Sequence, residues 1–205
     1  MARTYRWLGG IGYILGLIPY VSFISSILVA VAWIKMGRDT REKVFTALGV
    51  LLIALFAAGI IMAVAILMPI LALSMGAPTP LPIPPAAIGP FLGALILVGF
   101  ALLIMLIAAF ILDIAAHFKA AKIFGNKWFK LGGWLRIGTI IALVISIPLI
   151  VVSALLAGLG ELALGGLSLG LLLSILWPLV IVVILSLLAT IFSIMAFFTI
   201  PEEAP

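Results

Sequence analysis

Five long apolar stretches separated by short connectors organise the chain: residues 7–34, 44–74, 91–112, 134–157 and 171–200. A helix rises 1.5 Å per residue and must cover roughly 30 Å of hydrocarbon, so the last four predict membrane-spanning helices. The final stretch exceeds one bilayer thickness, and tilt or an interfacial extension is expected of it.

The first stretch would measure about 42 Å as one helix. Pro19 lies near its middle, followed by Tyr20, Ser22, Ser25 and Ser26, and a proline there removes a backbone hydrogen bond. Two arrangements are open. One is a long, kinked, tilted fifth span; the other is a re-entrant hairpin covered by other protein, since non-helical backbone at membrane depth is tolerated only when covered. A cleaved signal peptide is not expected, because its apolar core would be about 7–15 residues long.

The connectors differ in kind. Residues 35–43 (KMGRDTREK) are charged, and residues 75–90 hold six prolines and no charge. That density predicts a stiff, polyproline-like external loop hugging the membrane surface. Residues 119–130 (KAAKIFGNKWFK) are basic and aromatic, with Gly125-Asn126 expected to break them into two short turns. Residues 158–170 are rich in glycine and leucine, and Glu161 is their one charge.

Composition narrows the class. Of 205 residues 67% are apolar and 8% charged, against about 25% charged in ordinary soluble domains. The reading is an all-α polytopic transmembrane bundle in a single domain, residues 1–205, with four full spans plus the N-terminal hairpin or fifth span. The absence of cysteine removes disulfides, thiolate nucleophiles and Cys-based metal sites.

Eleven of the seventeen charges are Lys or Arg. Residues 35–43 hold four of them and residues 119–136 five, while 75–90 and 158–170 hold none. The positive-inside rule therefore places the two basic connectors in the cytoplasm. A hairpin over 7–34 puts all eleven inside; a crossing strands Arg3 and Arg6 outside. The expected location is the cell membrane, with both termini cytoplasmic.

Few residues could carry chemistry. Asp113 and His117 share a helix face, and Asp113 is expected at the cytoplasmic interface, paired with Arg136 at the start of the next span. Lys119, Lys122, Lys127 and Lys130 are candidate contacts for lipid headgroups; nucleic acid is not expected. Small residues four apart, at Gly12/Gly16, Gly89/Gly93, Gly166/Gly170, Ala54/Ala58 and Gly59/Ala63, suit close helix packing. Trp7, Trp33, Trp128 and Trp134 are expected in an interfacial belt. Trp7-Leu-Gly-Gly10 and Lys130-Leu-Gly-Gly133 form a faint internal echo, read as coincidence. No catalytic, cofactor or metal residues are identified.

The segments LGGIGYILGLIPYVSFISSIL, IKMGRDTREK, HFKAAKIFGNKWFKLGGWLRIGTIIALV and MAFFTIPEE together resemble an uncharacterised archaeal multi-pass membrane family, domain of unknown function 996. The resemblance implies an archaeal cell membrane and no activity. The expectation is a non-enzymatic protein without cofactors, an accessory or scaffold subunit whose partners are lipids and other membrane chains or itself. The alternative is a small transporter or channel for an uncharged or lipid-like solute.

Overall fold

Apolar side chains and a bilayer solvent leave the backbone one economical solution, which is to satisfy its own hydrogen bonds as helix. The computed structural model describes residues 2–74, 85–164 and 169–201. These form α1 (Ala2–Gly16), a single 3-10 turn (Pro19–Val21), α2 (Ser22–Thr40), α3 (Lys43–Ser74), α4 (Pro85–Phe124), α5 (Lys127–Leu164) and α6 (Leu169–Phe198). Five segments are long and apolar enough to cross a membrane: Pro19–Thr40, Lys43–Ala65, Ile96–Phe124, Lys127–Ser153 and Leu176–Phe198. The protein is an all-α, polytopic membrane chain. Its residues gather into two compact units, 1–113 and 114–204, with α4 running from one into the other.

The first unit settles the shape of the N-terminal stretch. Pro19 cannot donate to a preceding carbonyl, so the helix ends in short turns, Leu17 N–H to Ile14 O and Ile18 N–H to Leu15 O, both 3.1 Å. The Ser22 hydroxyl then donates to Pro19 O at 2.9 Å and helps start α2. Helix α1 folds back along α2. A Cβ added at Gly12 would meet Val29, and one at Gly16 would meet Ser25, a constant antiparallel register. At 15 residues, about 22 Å, α1 is too short to cross alone. Helix α2 extends past Ile34 to Thr40 and is long enough by itself.

Helix α3 packs on α2 in the same manner, with Gly37 against Thr46 and Gly49 against Ala30 and Ile34. Lipid supplies no hydrophobic drive between helices, so these backbone approaches provide the dispersion contacts that hold them. The core of the unit is Tyr5, Trp33, Met36, Phe45 and Leu48, all buried. Trp33 lies 5.4 Å from Phe45 between ring centroids. It is therefore a core residue and not a member of the interfacial belt. Trp7 and Trp134 are exposed, while Trp128 stacks on Phe192 at 5.5 Å.

The connectors are narrower than their composition suggests. Residues 35–40 continue α2, and the turn proper is Arg41-Glu42, with Arg41 left-handed at φ 57°. Residues 119–124 continue α4, and the turn is Gly125-Asn126, with Gly125 at φ 60°. Both close the same way: Glu42 N–H bonds Gly37 O at 3.1 Å, and Asn126 N–H bonds Ala121 O at 3.2 Å. This six-to-one bond is the Schellman motif. A lysine in the first turn of the following helix does not prevent it from starting. Helix α4 begins at Pro85, six residues before the expected span, because a first-turn proline gives up a donor that would have no helical partner. The rest of the proline-rich loop, 75–84, lies outside the described residues, as do 165–168 and the Gly166 of one small-residue pair.

Candidate functional site: a buried polar clamp

In the second unit the last turns of α4, the start of α5 and the end of α6 come together through small residues. Ala116 and Ala120 on α4, Gly132 and Gly133 on α5, and Ala189 and Ala196 on α6 are buried. A Cβ at Gly132 would lie 3.4 Å from His117 Cδ2 and 3.5 Å from both Arg136 Nη1 and Ser193 Oγ. The glycine pair thus makes the space that the polar group occupies. In α1 the glycines of the other Leu-Gly-Gly motif, Gly9 and Gly10, are buried as well.

Ser193 is the hub. Its Oγ donates to Ala189 O at 2.8 Å, one turn back on α6. It accepts from Arg136 Nη1 at 3.0 Å, and His117 Nε2 lies 3.1 Å away. Arg136 Nη1 also reaches Gly132 O at 3.4 Å. A hydroxyl has one proton and two acceptor positions. With the proton on Ala189 O, both acceptor positions are filled, one by the guanidinium and one by the imidazole N–H. Ser193 and His117 are fully buried, and Arg136 is 7% exposed. Phe129 closes the cluster, its ring 5.7 Å from His117 and 5.3 Å from Phe197.

One turn nearer the connector, Asn126 makes a second tie. Its Oδ1 accepts the Trp128 N–H at 3.0 Å and so caps the start of α5. Its Nδ2 donates to Ala196 O and to Thr199 Oγ1, both at 2.9 Å. The end of α6 is thereby fixed beside the basic turn. Farther along, Ser146 Oγ lies 2.7 Å from Ala142 O and 3.2 Å from Pro178 O, linking two proline-bearing helices.

Of the residues singled out by sequence, His117 and Arg136 meet, on Ser193. Asp113 is half-buried at the end of the first unit. Lys122, Lys127 and Lys130 are exposed and Lys119 half-buried, with Lys127 Nζ 5.0 Å over the Trp128 ring. Ser193 and Asn126 were not expected as partners. Spacing on one helix reports which residues share a face, not which residue a distant helix brings opposite. Among the described residues no three His, Asp or Glu side chains are grouped to hold a metal ion. Comparisons with protein-family models, curated proteins and solved structures return no match.

Proposed function

We propose that this chain is a non-enzymatic integral membrane protein, a small accessory or scaffold subunit that packs against other membrane chains or a second copy of itself. The observation that carries the reading is the use of glycine. Gly12, Gly16, Gly37 and Gly49 sit at helix contacts where a Cβ would collide, whereas Gly59, Gly93 and Gly99 face open space among the described residues. A mid-helix glycine costs about 1 kcal/mol relative to alanine. Four of these glycines offset that cost by close approach within the chain; the other three would do so against a neighbour. Ala63, one turn beyond Gly59, is exposed too.

The clamp supports the non-enzymatic part. A serine nucleophile must pass its proton to a base, but the Ser193 hydroxyl is placed to donate to Ala189 O, and Ser193 and His117 are fully buried. Two ties bear on orientation. The hairpin returns Tyr5 close enough to the 35–43 connector to feel the charge of Asp39. Asn126 holds the end of α6 beside the 119–130 connector. These placements favour both termini in the cytoplasm of a cell membrane. The Asp113–Arg136 pair and headgroup contacts of Lys119, Lys122, Lys127 and Lys130 belong to the same proposal.

Photo-crosslinking in native membranes is the test, with the reactive side chain placed at Ala63. A discrete crosslinked band is expected, and its loss in Gly59→Leu would tie it to that face. A chain that crosslinks only to lipid and always runs alone would remove the subunit reading. It would favour instead a transporter for a lipid-like solute, for which the apolar groove of about 300 Å³ beside Ser146, Trp177 and Pro178 is the place to look.

A further inference from the structure

At the turn between α2 and α3 the first unit has a groove of about 660 Å³. Arg38, Arg41 and Lys43 line the end at the turn, its charged mouth, and Val50 and Leu112 are among its apolar lining. All three cationic residues are exposed. Glu42 also lines the groove, which leaves a formal excess of two positive charges. Val50 is seven residues beyond Lys43, so the wall continues about 10 Å along the span from the charged mouth. We propose that this groove binds one anionic phospholipid, its phosphate held by Arg38, Arg41 and Lys43 and an acyl chain lying against Val50 and Leu112.

The shape argues for lipid over free phosphate. An inorganic ion would use the mouth alone, whereas the lining of the groove is chiefly apolar. Arg41 adds a second indication. It adopts a left-handed backbone conformation that disfavours side chains, and the equivalent place in the α4–α5 turn is taken by Gly125. An arginine held there at a conformational cost is accounted for if its guanidinium meets an anion. None of the lysines of residues 119–130 is among its lining residues.

Native mass spectrometry of the full chain released from mild detergent tests it, with phosphatidylglycerol and phosphatidylcholine as probes. One phosphatidylglycerol should be retained in preference to phosphatidylcholine. Each basic residue near a membrane surface contributes about five-fold to binding an anionic lipid, so Arg38→Gln with Arg41→Gln should weaken retention about 25-fold. Val50→Trp leaves the charges intact and fills the wall; it should lower retention as well. Equal retention of both lipids would overturn the proposal, as would retention unchanged in both variants. Displacement by excess inorganic phosphate with no effect of Val50→Trp would make this a free-phosphate site and overturn the lipid assignment.

Discussion

Ser193 shows how far a single residue can be read from its neighbours along the chain. In sequence it is one more serine in an apolar helix, with a hydroxyl able to bond its own backbone. Its position opposite His117 and Arg136 arises because glycines and alanines on three helices let them approach, and no local pattern encodes that meeting. Arg136 was legible as a residue needing a partner, because a guanidinium at a span's edge is expensive to bury unpaired. Trp33 was misread for a related reason: its place near a helix end suits an interfacial belt, but Phe45 from the next helix covers it. Ser193→Ala should lower thermal stability by about 1–3 kcal/mol, since two buried donors lose their acceptor; an unchanged melting temperature would show that the clamp contributes nothing. Asp113→Asn should reduce folded yield if the carboxylate pairs with Arg136. Tyr5 offers a pH test. Burial, and then the negative charge of Asp39, push its hydroxyl up to about 12 from 10.0. The folded chain therefore favours the neutral phenol, and stability present below pH 10 is lost as pH rises toward about 12. Tyr5→Phe should flatten that part of an alkaline melting series, and parallel curves for the two proteins would contradict it.

Among the elements, the four later helices were plain from their apolar lengths, because lipid permits few alternatives to helix. Their ends were not. Charged residues 35–40 and 119–124 extend helices because lysine and arginine are good helix formers, and the real breaks are two-residue turns closed by one backbone bond each. The N-terminal stretch was undecided between a kinked span and a hairpin, since Pro19 weakens a helix without dictating the angle that follows. The structure resolves it by side-chain size: Gly12 and Gly16 leave room for α2 to lie against α1. A Cβ at Gly16 would stand 3.7 Å from Ser25 Cβ, within the usual Cβ separation of a disulfide, about 3.5–4.5 Å. Gly16→Cys with Ser25→Cys should therefore cross-link on mild oxidation, and with no other cysteine present the product is unambiguous. In an uninterrupted helix nine residues would hold the pair roughly 13 Å apart, so failure to cross-link in a folded protein would return the kinked span to favour.

At the scale of the whole molecule, orientation rests on charge and on where the chain ends are tied. Every Lys and Arg can lie on one face only if the N-terminal stretch turns back, giving a division of eleven to none; a full crossing gives nine to two. The hairpin carries Tyr5 back into the field of Asp39 in the first basic connector, and Asn126 anchors Thr199 beside the second. Each end is thus tied to a basic connector, and the proposed orientation puts both connectors in the cytoplasm by the positive-inside rule. Glu202 and Glu203 do not weigh in this, because acidic residues contribute little to orientation. Single cysteines at Thr4, Thr40, Thr79 and Ser168 would each be the chain's only thiol, and intact cells treated with a membrane-impermeant maleimide read their side directly. Thr79 and Ser168 lie in connectors bare of Lys and Arg, so those two positions should label; Thr4 and Thr40 should label only after lysis. Labelling at Thr4 in intact cells, with Thr40 still protected, would place the two ends of the hairpin on opposite faces, which α1 lying antiparallel along α2 does not allow.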